Sequence, residues 1–367
     1  MQKEIGSNFD FNPEILIDKE RGLHMGEYGI TGNDEALFST GRGAEGFVLD
    51  AIQERNPKIR KTALVPPFTC EVVLEPFMAR GYEISAYPVE GTLDVDMERF
   101  RSTLLASGAQ IVLVHRYFGF DTLKGFGEVA EEFQSRGVVF IEDRTQCLYS
   151  SFPDLHTDYT LGSMRKWAAL PDGGFAVCRD GVFSGKPREH DVELERKKME
   201  ASCLKYRYLH ENCGEKEEYL RKFKAAEEVL DAEERYFRMS PSGIGVQCSL
   251  DIEELKRRRR SNYSRLYESI CNQGFERILT PRLGEHDVPL YLAILAKNRN
   301  EIQAKLREHN IYAPVVWPKP DFMPPVCSEA QEIFDKVLCL PIDQRYEEDD
   351  MARLAKTLER EGNHVSG

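Results

Sequence analysis

The chain has 367 residues, 41% hydrophobic and 30% charged, a balance that excludes wholesale disorder and suits two or three globular domains. Its formal charge of −13 gives no reason to expect nucleic acid or an anionic membrane as the main partner, so an anionic ligand needs a locally electropositive site. The longest apolar runs, IVLV and LYLAILA, are of strand length and far short of a membrane span.

The amino-terminal MQKEIGSNFDF is polar and mixed in charge, unlike a secretory signal, and the protein is expected in the cytoplasm. From about residue 39 the pattern alternates helix and strand. GAEGFVLDAIQER has helical spacing and KTALVPP reads as a short buried strand. EVVLEPFMARG is a helix closed by Gly81, and YEISAYPV is a strand. VDMERFRSTLLAS follows as a helix with Asp94 as its expected cap, then the strand AQIVLVH. LKGFGEVAEEFQSRG is a helix, and VVFIED a strand ending in two acids. Short apolar strands between helices mark a mostly parallel sheet covered on both faces, whose ligands collect at the carboxyl ends of the strands.

Residues 187–236 are rich in Glu, Lys and Arg and read as a solvated helical stretch without strands. Beyond Pro241 the helices DIEELKRRRRSNYSRLYESI, NRNEIQAKLREHN and EEDDMARLAKTLERE alternate with the strands VPLYLAILA, NIYAPVVW and KVLCLPI. The expected organisation is a segment over 1–38, a large α/β domain over 39–236 with its helical linker from about 187, and a small α+β domain over 237–367. Nine cysteines, none in a Cys-x-x-Cys pair and most in apolar stretches, are expected to be buried, reduced thiols, with no metal site.

The chemistry-bearing residues fall in a suggestive order. Asp143 ends the strand VVFIED, and Gln146 lies three residues on; then come Ser163-Met164-Arg165-Lys166 and the Gly-Gly strand PDGGFAV. Pyridoxal 5′-phosphate needs a lysine for its Schiff base, a carboxylate at the pyridine nitrogen, a phosphate cradle and a flat neighbour. Lys166 suits the first role. Asp143 suits the second, because a negative charge favours the pyridinium. Ser163 can donate to the phosphate. In STGRGAEGFVLDAI a glycine turn opens a helix, so the N–H groups of Gly41, Arg42 and Gly43 face an anion, with the Arg42 guanidinium as a possible addition.

These pieces resemble the DegT/DnrJ/EryC1/StrS aminotransferases, the sugar branch of the fold-type I pyridoxal-phosphate enzymes. The matching segments are STGRGA, VPPFTCEVVLEPFMARGYEISAYPV, VHRYFGF, FIEDRTQC, SMRKW with PDGG, YFRMS and LPIDQRY, spanning residues 39–360. The resemblance implies an α/β/α large domain with a small carboxyl-terminal domain, and a homodimer with active sites at the subunit interface. It implies Lys166 as the cofactor lysine, Asp143 as the pyridine partner, Gln146 against the phenolic oxygen, and Gly41 and Arg42 in the phosphate turn. The implied reaction moves an amino group from glutamate or glutamine to a keto sugar on a nucleotide.

This chain departs from that pattern at four positions. Leu161 and Ser163 stand where the family has serine and histidine, Cys70 stands where it has a stacking aromatic ring, and Tyr236 replaces an asparagine that reaches the neighbouring subunit's phosphate. Phe68 is the alternative stacking ring. Two other readings follow: a lyase or dehydratase with the same cofactor, and a non-catalytic ligand-binding homologue. Dehydrating relatives carry histidine in place of the lysine, so Lys166 favours transfer.

Outside this set, the run KRRRR at 256–260 is expected to be a solvated helical face. His115, Arg116 and Tyr117 are candidates for substrate contact or loop packing. Arg345 is expected in a loop salt bridge, and Cys147 has no base in sequence reach to make it a nucleophile.

Overall fold

The computed structural model describes residues 3–231, 236–271, 275 and 277–362. The last four residues before Tyr236 of the expected helical stretch lie outside them. The chain forms two compact units, each assembled from segments distant in sequence: Met1–Ser7, Arg60–Thr157 and Asp251–Gly367 in one, Asn8–Ile59 and Asp158–Leu250 in the other.

The first unit carries four parallel strands in the order β4-β3-β5-β6: β3 (Thr62–Val65), β4 (Glu83–Ala86), β5 (Ile111–His115) and β6 (Val139–Asp143). Helices α2 (Glu71–Ala79), α3 (Met97–Ser107) and α4 (Phe126–Gln134) are the crossovers that parallel pairing demands. All five residues of β5 are buried, which is why it reads as an unbroken apolar run. Each such side chain contributes roughly 1.5–3 kcal/mol. Asp96 caps α3 by accepting from the Arg99 N–H at 2.8 Å. Asp94, the expected cap, instead accepts from the Thr92 hydroxyl at 2.7 Å, within the turn that precedes the helix.

The same unit contains an antiparallel sheet, β12-β10-β9, from β9 (Arg277–Ile278), β10 (Leu292–Leu295) and β12 (Val337–Leu340). With it come α8 (Ile252–Ile270), α9 (Arg299–Glu308), α10 (Ser328–Lys336) and α11 (Glu348–Gly362). β1 (Ile5–Gly6) pairs in parallel with β11 (Ile311–Tyr312). That pair is all that forms of the strand expected over NIYAPVVW, where Pro314 has no N–H to offer a ladder. One continuous apolar core runs from Leu64 and Val114 of the parallel strands to Leu292 and Leu338 of the antiparallel ones.

The second unit is built on three antiparallel strands, β2-β8-β7: β2 (Asp34–Phe38), β7 (Tyr159–Ser163) and β8 (Gly174–Cys178). Helix α1 (Gly41–Arg55) follows β2, and α5 (Val192–His210), α6 (Lys216–Asp231) and α7 (Pro241–Ser249) complete the unit. Helices α5 and α6 bury Ala201, Tyr219 and Phe223 between them. No cysteine is in a disulfide, but the expectation of burial holds only for Cys147, Cys178 and Cys339; Cys213 is exposed and the other five are half-buried. No helix among the described residues is long and apolar enough to cross a membrane.

Candidate active site

In the second unit the start of α1, the end of β7 and the start of β8 meet. Thr40 has the extended backbone of a helix N-cap, and its hydroxyl oxygen accepts from the Gly43 N–H at 2.9 Å. That bond engages one of the three expected phosphate donors, and Gly43 serves the cap instead. The signal was present in the sequence as a threonine directly before the helix. A Cβ on Gly41 would lie 3.1 Å from Ser163 Cβ, so the first residue of α1 sits against the end of β7. Gly174 makes a still closer approach. A Cβ there would lie 2.3 Å from the Thr40 carbonyl oxygen and 2.7 Å from the Gly41 nitrogen.

Hydrogen bonds tie these three elements together. The Gly173 N–H donates to the Ser39 carbonyl at 2.8 Å, and the Gly173 carbonyl accepts from the Met164 N–H at 3.1 Å. The Ser163 hydroxyl donates to that same carbonyl at 3.3 Å. Lys166, half-buried, is the third residue of a turn closed by the Trp167 N–H on the Met164 carbonyl at 3.1 Å. Trp167 is fully buried and anchors the turn. Arg165 reaches Glu227 of α6 at 3.3 Å.

Two side chains singled out in the sequence, Arg42 beside the phosphate turn and Tyr236 at the family's asparagine position, are engaged elsewhere. The Arg42 guanidinium donates to the Leu230 carbonyl in the last turn of α6. The Tyr236 hydroxyl donates to the Asp50 carboxylate of α1. Asp172 was not among the sequence candidates, yet it lies buried directly before the Gly-Gly pair and caps α7 through Ser240. An acid flanking two glycines, with Ser-Pro opening a later helix, was the available signal.

In the first unit Asp143 ends β6 and is buried; its Oδ1 accepts from the Thr145 N–H at 2.7 Å, which orients the carboxylate. Gln146 follows in the same loop. Its Oε1 accepts from the Phe118 N–H at 3.0 Å, while its Nε2 is buried without a hydrogen-bond partner. An unsatisfied buried amide costs about 1–3 kcal/mol, so this donor is available to a ligand oxygen. Arg144 donates to the Ser150 carbonyl at 3.0 Å across the base of that loop.

Phe68 is fully buried among Tyr117, Phe118, Trp317 and Phe334, with ring centroids 4.8–6.5 Å away. It belongs to the aromatic core and leaves no face open for stacking on a ligand.

The remaining candidates are structural. Arg116 is buried, pairing with Asp121 at 2.9 Å and Glu142 at 2.8 Å and donating to the Pro153 carbonyl at 2.7 Å. His115 places Nε2 3.3 Å from the Phe68 carbonyl oxygen. Arg345 pairs with Asp343 at 2.8 Å, the loop salt bridge expected of it. Burial pushes the Cys147 thiol up to about 11, which suits an inert core thiol. Lys256, Arg257 and Arg258 pair with Glu253 and Glu254 on the surface of α8. Arg259 departs from that solvated face: it is buried, donates to Gln344 and to the carbonyls of Pro289 and Leu290, and burial lowers its guanidinium to about 10.

Parallel strands with helical crossovers and a smaller antiparallel sheet make an α/β fold that the chain shares with solved aminotransferase structures. No protein-family model matches the sequence, and no curated protein matches it either. Solved structures do. The chain is similar to the aminotransferase TlmJ from Streptoalloteichus hindustanus, with 17% identity, 94% of this chain and 89% of that one covered, and a TM-score of 0.66. It is similar to the sugar aminotransferase CalS13 from Micromonospora echinospora, with 16% identity, coverage of 93% and 92%, and a TM-score of 0.64. It also resembles a DegT DnrJ EryC1 StrS aminotransferase from Brucella abortus, with 15% identity, coverage of 92% and 88%, and a TM-score of 0.62. Identities of this size establish the shared fold; fold alone does not carry function.

Proposed function

We propose that the chain is a pyridoxal 5′-phosphate-dependent aminotransferase that moves an amino group from glutamate or glutamine to a nucleotide-linked keto sugar, working as a homodimer. The observation that carries the reading is local to one unit: a capped helix N-terminus lies against Ser163, three residues before Lys166. The buried, unpartnered Gln146 Nε2 supports it, because the cofactor's phenolic oxygen is an acceptor of the kind that donor lacks. The sugar substrate is supported by CalS13, which is described as a sugar aminotransferase.

In this reading Lys166 Nζ attaches the cofactor. As a free amine it would take the proton from the amino donor's alpha carbon as general base and, as general acid, deliver it to the cofactor's carbonyl-derived carbon. By the sequence resemblance, Asp143 would hold the proton on the ring nitrogen. Ser163, its hydroxyl proton turning from the Gly173 carbonyl to the ligand, and the first N–H groups of α1, those of Gly41 and Arg42, would receive the phosphate at the positive end of the helix dipole. Gly43 acts through the Thr40 cap. When bound, the cofactor supplies an electron sink for the carbon that loses its proton.

The visible spectrum of the purified protein tests this directly. A band from lysine-bound cofactor is expected, lost on adding glutamate and restored by a nucleotide-linked keto sugar. Lys166→Ala should lack the band. A wild type that takes up no cofactor, or an unchanged band in the variant, overturns the assignment.

A further inference from the structure

We infer that Asp172 is a positioning residue for the Lys166 turn: by capping α7 it fixes the Gly173 carbonyl from which Ser163 and Met164 hang. The inference rests on the reading of this site as a cofactor site.

The carboxylate is built in from both sides. It is 1% exposed, with Oδ2 accepting from the Ser240 N–H at 2.8 Å and Oδ1 accepting from the Ser240 hydroxyl at 2.9 Å. Ser240 is itself the N-cap of α7, and its Oγ accepts from the Gly243 N–H at 3.0 Å. A Cβ on Gly243 would lie 2.1 Å from Asp172 Oδ1, so only glycine admits the carboxylate there. Arg165 of the lysine turn and Glu195 of α5 are the charged groups that face it.

The next residue is the junction. Gly173, at φ +147°, has a backbone conformation that residues with a side chain rarely adopt. Its N–H is held by Ser39, and its carbonyl takes both the Met164 N–H and the Ser163 hydroxyl. A glycine has little intrinsic resistance to rotation, so its carbonyl points where its neighbours hold it. Asp172 is the neighbour fastened to a helix. Releasing that side chain leaves the Ser39 bond alone to hold the peptide between residues 172 and 173, so the next peptide, which carries the Gly173 carbonyl, can turn about Gly173, and with it the alignment of Ser163 and of the turn closed by Met164 and Trp167.

The test compares two ligands on the full-length protein freed of cofactor: pyridoxal 5′-phosphate, and pyridoxal, which lacks the phosphate that Ser163 would bind. Binding is read from tryptophan fluorescence. Asp172→Asn is expected to weaken pyridoxal 5′-phosphate by about tenfold, the scale of one lost buried hydrogen bond, and pyridoxal by no more than about twofold. Ser240→Ala, which keeps the bond from its own N–H, should fall between wild type and Asp172→Asn, and it stands in if the first variant does not fold. Equal weakening of both ligands, or none, overturns the positioning role while leaving the cofactor site intact. A wild type that binds neither ligand overturns the cofactor reading and this inference with it.

Discussion

Replacing Gly174 with alanine is expected to be among the most damaging single-methyl changes in the molecule, because the added carbon meets backbone on a side that cannot yield. Gly174 lies in a strand paired on both edges, opposite Phe38 of β2 and Ser163 of β7. Its new Cβ would stand 2.3 Å from the Thr40 carbonyl oxygen, and reaching even a tight 3.0 Å contact requires a shift of about 0.7 Å, the difference between the two. The shift must come from the start of α1 or from a strand paired on both edges. Overpacking against side chains costs about 1–3 kcal/mol, and with backbone as the obstacle about 3 kcal/mol or more is expected.

Two companion variants calibrate the figure. A Cβ on Gly41 would lie 3.1 Å from Ser163 Cβ, a contact relieved by a few tenths of an ångström, so Gly41→Ala should cost no more than about 1 kcal/mol. Gly26→Ala meets nothing within 4 Å and should stay within about 0.5 kcal/mol of wild type. Urea unfolding of the three variants, compared at constant m, reads the series. If Gly174→Ala unfolds within about 0.5 kcal/mol of wild type, the close approach of β8 to the Thr40–Gly41 peptide is wrong, and the local geometry of the candidate site falls with it.

Two further outcomes follow from buried charges. Glu142→Leu leaves Arg116 with only the half-buried Asp121 as ion-pair partner and should cost about 2–3 kcal/mol in unfolding free energy, while Arg116→Met combined with Glu142→Leu should recover part of that loss; a double variant no better than the single one refutes the pairing argument. Burial raises the Asp172 carboxyl from 3.8 to about 7, so its contribution to stability is fully present below its unfolded pKa and is lost as pH rises through the folded value. The stability of wild type relative to Asp172→Asn should therefore fall between about pH 4 and pH 8, by up to roughly 4 kcal/mol, in pH-dependent denaturation curves. A difference that does not change with pH refutes the shift.

What the sequence made legible depended on whether a signal was local. β5 and β6 announce themselves because parallel strands buried on both faces are written as apolar runs, and α1, α3, α8 and α11 because their apolar residues recur at helical spacing. β2 was harder to see: DEALF is polar, and its place is secured by pairing with β8, a partner about 140 residues away. Helix α7, PSGIGVQCS, has two glycines and a low propensity; Ser240 and Asp172 hold its first turn, and only one of those is adjacent in sequence. The boundary at Tyr312 and the cap at Asp96 moved for similarly local reasons, a proline and a turn two residues off.

The candidate site divides along the same line. Residue types and their order can suggest a chemistry, so Lys166, Asp143, Gln146 and Ser163 could be nominated from the sequence alone. Which polar atoms remain available cannot be read that way, because availability is what is left after the fold has satisfied its own buried groups. The Arg42 guanidinium goes to a helix carbonyl, the Gly43 N–H to a cap, and the Tyr236 hydroxyl to Asp50. Arg116 and Arg345 go to carboxylates. Gln146 keeps one buried donor unused after its oxygen is engaged by Phe118. A protein that leaves such a donor unmatched carries a cost that nothing in its own fold offsets. The discriminating consequence is that Gln146→Leu, which exchanges the orphaned Nε2 for an orphaned Phe118 N–H, should destabilise the ligand-free chain less than Glu142→Leu does, although both side chains are buried in the same region of the sequence.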